Sequence, residues 1–230
     1  MLIVIEGLDG SGKSTQVRKL REYLGRLPQK LEYIHFPRYD APVYGELISR
    51  FLRGDFGGND AVHPQLVALL FAEDRHGAAG ELRKILSEGG NVLLDRYVYS
   101  NIAYQCAKLS NPSEAEDLRE WICNTEYGQF DLPRPDLNIF LDVPTGFVEK
   151  KLSAERCGGD RDYLEGGRDI HEADMSFQRG VREVYLRQCE LDPHFTRVDC
   201  AAADGSMLPP DAIFEKIKAV VDRALSSRAE

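Results

Sequence analysis

Short apolar runs of strand length alternate along the chain with longer segments of helical period. The strand-like runs are Leu2 to Glu6, Leu31 to Phe36, Asn91 to Asp95, Leu137 to Val143 and Phe195 to Val198. Helical period holds over Lys13 to Gly25, Pro42 to Arg53, His63 to Ser87, Asn101 to Lys108, Ser113 to Thr125, Thr145 to Ala154, Asp169 to Cys189 and Pro210 to Ala224. A strand covered on both sides keeps no polar face, so this rhythm predicts an α/β fold in which helices cover both faces of a parallel sheet.

Two stretches interrupt it. Gly54 to Asn59 (GDFGGN) reads as a turn between helices, and Arg156 to Arg168 (RCGGDRDYLEGGR) as a movable glycine-rich loop carrying three arginines. Only Ser226 to Glu230 reads as a frayed end. At 230 residues the expectation is one domain, residues 1–230.

Charge and cysteine usage narrow the partners. A formal net charge of −9 argues against a dedicated nucleic-acid or anionic-membrane binder and favours small substrates. The first apolar run has no basic segment before it and is cut short by charge and glycine, so it is neither a signal peptide nor a membrane span. Cys106, Cys123, Cys157, Cys189 and Cys200 lie far apart, an odd number without metal-ligand spacing, which reads as reduced thiols in the cytoplasm.

Between the first strand and the first helix, Gly7-Leu8-Asp9-Gly10-Ser11-Gly12-Lys13-Ser14 matches G-x-x-x-x-G-K-[ST], with Thr15 following. Glycines at these positions let successive backbone N–H groups turn toward a phosphate, and the helix N-terminus adds partial positive charge. Lys13 then reaches the β- and γ-phosphoryl oxygens of a triphosphate, and Ser14 becomes a Mg²⁺ ligand. A second metal ligand is expected at the carboxyl end of a neighbouring strand. Asp95 and Asp142 both qualify; Asp95 is preferred because Arg96 follows it, whereas Asp142 precedes Pro144 and a helix and could act as a cap.

Further motifs are more specific. Phe36-Pro37-Arg38-Tyr39 follows the second strand, and Leu70-Phe71-Ala72-Glu73-Asp74-Arg75 lies in a helical segment. Asp95-Arg96-Tyr97 is followed by Ser100, Asn101, Tyr104 and Gln105. In this order, and with the GLDGSGKST loop, these motifs resemble the thymidylate kinases, a branch of the P-loop nucleoside monophosphate kinases. The resemblance runs from Leu2 through the helix after Asp169.

It implies a three-layer αβα P-loop NTPase fold with a central five-stranded parallel sheet and a short lid at about residues 155–168. It further implies transfer of the γ-phosphoryl group of ATP, with Mg²⁺, to dTMP by a homodimer packed through helices. Phe71 and Arg75, spaced i and i+4, share one helix face, where the ring would stack on a pyrimidine and the guanidinium would donate to its O4. A core Phe beside a surface Arg is the alternative. Asn101, Tyr104 and Gln105 form one patch if their segment is helical. The resemblance gives Asn101 to the base edge and Tyr104 to the place of a ribose 2′-hydroxyl.

It also gives Arg38 and Arg96 to the acceptor phosphate, with Tyr39 lining that pocket, Asp9 to the sugar 3′-hydroxyl, and Glu172, an acid of the lid helix, to a place near the acceptor; Ser100 and Gln105 are further substrate-binding candidates. Some thymidylate kinases carry a basic residue directly after the loop acid. Here that residue is Gly10, so the compensating charge falls to Arg156, Arg161 and Arg168 of the lid. His171 is expected to be structural, because an anionic acceptor needs no base. Trp121 reads as core or as part of a dimer interface. The competing readings are a kinase acting on thymidine itself, which would require a base for the 5′-hydroxyl, and a nucleotide switch, whose NKxD signature is missing here.

Overall fold

The computed structural model describes residues 1–153, 163–164, 169–172 and 174–229. Five strands, β1 (Leu2–Gly7), β2 (Leu31–His35), β3 (Asn91–Asp95), β4 (Leu137–Asp142) and β5 (Phe195–Asp199), form one sheet in the order β2-β3-β1-β4-β5. Every pairing is parallel. The three central strands are buried along their whole length, which is why their sequences lack a polar face. β2, at one edge, is only half-buried.

Strand alternation sorts the core. Ile3 and Ile5 share a cluster with Leu20 and Leu24 of α1 (Lys13–Leu24) and Ile217 and Val221 of the last helix, Pro210–Ala229. Leu2 and Val4, of opposite parity, cluster with Leu82 of α3 (Pro64–Ser87) and Ile102 of α4 (Val98–Cys106). Glu6 continues the Leu2 and Val4 parity, so the sheet delivers its carboxylate to α4.

α2 (Tyr44–Leu52) is joined to α3 through a turn in which Gly54 and Gly57 take φ values of 83° and 102°. α5 (Pro112–Cys123) starts on an Asn111 cap, whose side chain accepts from Ser113 N at 3.0 Å, and runs into a π-helical turn over Asn124–Gln129. α6 (Thr145–Ser153) and α7 (Met175–Leu191) follow β4, the expected lid at about residues 155–168 lies almost wholly outside the described residues, and α8 (Pro210–Ala229) is the last helix. Trp121 is half-buried against the second cluster. Among the described residues no helix is long and apolar enough to cross a membrane.

Three boundaries correct the sequence reading. The helix expected from Asp169 begins at Met175, because Asp174 caps it, accepting from Ser176 N at 2.7 Å and Phe177 N at 3.4 Å. α4 begins at Val98, ahead of the expected Asn101. The expected frayed end is helical as far as Ala229, and Ser226 Oγ donates back to Asp222 O at 2.9 Å.

Candidate active site

The loop between β1 and α1 turns on Gly10 and Gly12, whose φ values of 72° and 82° lie in the left-handed region that side chains resist. The turn aims the N-terminus of the twelve-residue α1 into a cavity lined by residues 9–15, Asp95, Arg96 and Glu172. Lys13 Nζ donates to Gly7 O at 3.1 Å and Leu8 O at 2.9 Å, which holds the ammonium over the loop. Burial, and next the Arg96 guanidinium, lower Lys13 to about 8. The cationic form is the one that binds phosphate, so kcat/KM for MgATP is expected to fall as pH rises through about 8. A pH–rate profile of kcat/KM checks this; a flat profile from about pH 7 to about 9.5 contradicts it.

Asp95 ends β3 in the same cavity. Its Oδ2 lies 3.4 Å from His35 Nδ1, while Oδ1 is buried without a partner among the described residues. Burial favours the neutral acid, but the His35 hydrogen bond and Lys13 outweigh it and hold Asp95 below the usual carboxylate range. An ionised carboxylate with one unpaired oxygen, sharing a cavity with Ser14, fits a hard divalent cation held mainly by phosphate oxygens and water. Asp142 takes the other course. It accepts from Arg182 Nε at 2.6 Å and Nη2 at 2.9 Å and from Arg197 Nε at 2.8 Å, away from the phosphate loop.

A second cavity opens beside the first, among Phe36, Leu52, Phe71, Arg75, Asn101, Tyr104 and Gln105. Phe71 is half-buried, packed edge-on against Phe51 with ring centroids 6.4 Å apart. Arg75 is buried, its guanidinium paired with Glu126. Asn101 and Gln105 are buried, and each presents a side-chain oxygen without a partner among the described residues. On the far wall Tyr39 stacks on Tyr163 with ring centroids 4.0 Å apart, and Tyr163 OH donates to Asp169 Oδ2 at 2.8 Å. Burial, reinforced by the nearby Asp9 charge, raises Asp169 to about 7.

The two cavities share Asp9, Pro37, Tyr39, Arg96 and Tyr163. Arg96 Nη2 reaches Asp9 Oδ1 at 2.5 Å, its Nη1 donates to Ser100 Oγ at 3.1 Å, and Tyr104 OH donates to Asp9 Oδ2 at 2.7 Å. Burial favours neutral Asp9, but Arg96 and Lys13 prevail and hold its carboxyl well below the usual range. Beneath this junction Glu6 accepts from Tyr97 N at 2.9 Å, Ser100 N at 3.2 Å, Ser100 Oγ at 2.5 Å and Tyr185 OH at 3.0 Å. Arg96 therefore stands as a fixed cation where the two cavities meet, with Lys13 beside it in the first, an arrangement suited to neutralising phosphate charge.

A family model for thymidylate kinase matches residues 5–203. The chain belongs to the thymidylate kinase family. Among curated members, it is 34% identical over 186 residues to thymidylate kinase of Mycobacterium tuberculosis (strain H37Rv), covering 80% of this chain and 84% of that one. It is 33% identical to a probable thymidylate kinase of Thermococcus onnurineus (strain NA1) over 99% of this chain and all of the relative. The solved structure of thymidylate kinase from Candida albicans matches with a TM-score of 0.69 and 28% identity, across 96% of this chain and 91% of that one.

Most residues that the thymidylate kinase resemblance selected converge on the two cavities. Phe71, Arg75, Ser100, Asn101, Tyr104 and Gln105 line the second, Ser14, Asp95 and Glu172 the first, and Asp9, Tyr39 and Arg96 both. Arg38 is not among the residues lining either cavity. Asp74 accepts from its backbone N and from Nε, each at 2.9 Å, which fixes the guanidinium beside α3. Glu172 lines the phosphate-loop cavity. Arg156, Arg161 and Arg168 lie outside the described residues.

Four participants escaped the sequence reading. They are Glu126; Tyr163; Gln178, whose Nε2 donates to His171 O at 2.8 Å and lies 3.5 Å from Asp9 Oδ2; and Lys151, which lines the first cavity where a side chain on Gly10 would touch it. His171 is buried, and burial followed by the Lys108 charge lowers it to about 3, too weak a base for proton abstraction at neutral pH.

Proposed function

We propose that the chain transfers the γ-phosphoryl group of ATP to the 5′-phosphate of thymidine monophosphate, giving the diphosphate and ADP. The supporting observation is the meeting of a phosphate-loop cavity with an aromatic and amide-lined cavity at Asp9, Tyr39 and Arg96. An acceptor phosphate oxygen attacks the γ-phosphorus as the bridging bond to the β-phosphate breaks, and ADP carries away the electron pair. Gly7 to Thr15 hold the donor, Lys13 and Arg96 balance charge on the transferring group, and Arg96 draws the acceptor phosphate to the junction. Asp95 and Ser14 would hold Mg²⁺, which neutralises phosphate charge when bound. Arg156 and Arg161 remain the proposed lid contribution.

The acceptor's base stacks on Phe71, with Arg75 and Asn101 at its edge, and Tyr104 closes the space beside the sugar where a 2′-hydroxyl would sit. A nucleoside acceptor is disfavoured because the buried Glu6 carboxylate is engaged by Tyr97, Ser100 and Tyr185 and cannot serve as a free base. Further parts of the proposal are a single domain working as a homodimer in the cytoplasm, with no nucleic-acid or membrane partner. The net charge of −9 and the lack of a membrane-length apolar helix among the described residues support the last part.

The test is ADP release with dTMP, thymidine, dUMP and dCMP offered side by side. Fastest turnover on dTMP is expected; faster phosphorylation of thymidine overturns the proposal. In the same assay Arg75→Ala is expected to raise the KM for dTMP about tenfold or more with a smaller change in kcat, since a base contact is lost and no reacting atom is touched.

A further inference from the structure

Glu126 sits in the π-helical turn after α5, fully buried, behind Arg75 and Asn101 of the second cavity's wall. Its Oε2 accepts from Arg75 Nε at 2.5 Å and its Oε1 from Arg75 Nη2 at 2.7 Å. The same Oε1 accepts from Asn101 Nδ2 at 2.8 Å, and that nitrogen's other proton goes to Ala68 O at 2.9 Å. Both partners of the Asn101 nitrogen are acceptors only, so the amide cannot turn over without setting oxygen against oxygen twice. Asn101 Oδ1 is left buried, unpartnered among the described residues and on the cavity wall.

We infer that Glu126 is a positioning residue for base selection: by holding Arg75 as a donor and Asn101 as an acceptor, it makes the cavity complementary to a pyrimidine with a 4-carbonyl and an N3–H. Thymine and uracil offer that acceptor and donor. Cytosine offers the reverse, an amino group at position 4 and a bare N3, and meets a like group at both points. Without the carboxylate, the buried Arg75 charge would lose its partner and Ala68 O alone would hold the Asn101 amide in this orientation. The inference rests on the proposed acceptor being a pyrimidine nucleotide.

Glu126→Gln in the full chain tests it. The substituted amide has one acceptor oxygen where the carboxylate had two, so it cannot accept from both Arg75 nitrogens and from Asn101 at once; the Asn101 amide is then held only by Ala68 O, and turning it sets oxygen against oxygen once instead of twice. The ratio of kcat/KM for dTMP to that for dCMP is expected to fall at least about tenfold, the worth of one good hydrogen bond, through KM and not kcat. Glu126→Asp keeps the charge on a shorter arm and is the fallback if the Gln variant does not fold. It cannot hold both partners, so an intermediate ratio is expected. An unchanged ratio in a folded variant overturns the inference, as does an equal fall in kcat for both nucleotides, which marks general disruption. If the unaltered chain phosphorylates neither nucleotide, the proposed function has failed instead.

Discussion

Lys13→Ala is expected to lower kcat by about a thousandfold while shifting the melting temperature by only a few degrees, on the scale set by losing one preorganised donor to a transferring group. Among the described residues Lys13 donates to two carbonyls of its own loop, Gly7 O and Leu8 O, so its removal breaks no long-range hydrogen bond there. Asp9 keeps Arg96 and Tyr104, and Asp95 keeps His35, so neither carboxylate is stranded. What disappears is positive charge beside the β- and γ-phosphoryl oxygens, where charge grows as the bond to the leaving group lengthens. Steady-state kinetics with a parallel melting curve measure both quantities. Turnover within about tenfold of the unaltered chain would remove Lys13 from the mechanism.

What the sequence made legible follows from the range of each interaction. The phosphate loop, the strands and the one-sided helices are local patterns of glycine and apolar spacing, and each of these elements is present in the expected order, with helix ends displaced at Val98 and Met175. The loop even exposes an absence. Gly10 withholds a cation, and Lys151 from α6, with its Cβ 3.1 Å from where a Gly10 Cβ would stand, brings one alongside. Long-range pairs left no such trace. Glu126 meets Arg75 across 51 positions and reads locally as one more acid in the polar tail of a helix. Tyr185 meets Glu6 across 179 positions, and only the parity of β1 hinted where Glu6 would point.

Arg38 shows a long-range pairing that a local motif does not reveal. It follows Phe36 and Pro37 as the resemblance requires, yet Asp74, 36 residues on, claims its guanidinium. Asp174 was hidden in another way. Helical period alone continues from Asp169, and a cap in mid-pattern becomes visible only when its side chain is seen to accept from Ser176 N.

Arg96→Met is expected to have the largest effect of any single change: loss of kcat/KM by more than about a thousandfold, together with about 3 kcal/mol of stability, as when a mostly buried pair loses one partner. The side chain is only 12% exposed and that of Asp9 22%, so water can relieve the stranded carboxylate only in part. Arg96 also holds Ser100 Oγ at 3.1 Å and reaches Tyr104 OH at 3.3 Å, joining the phosphate junction to the wall beside the sugar. Its backbone takes a φ of 67°, a strained value for a residue with a side chain, which the β3 to α4 connection tolerates in order to aim the guanidinium at Asp9. The double variant Asp9→Asn with Arg96→Met separates the two effects. Neutralising Asp9 removes the stranded charge, so most of the lost stability should return while activity stays down. Recovery of activity together with stability would mean that Arg96 only balances Asp9. Recovery of stability alone, with Asp9→Asn by itself still active, would assign the guanidinium to the phosphates where the two cavities meet.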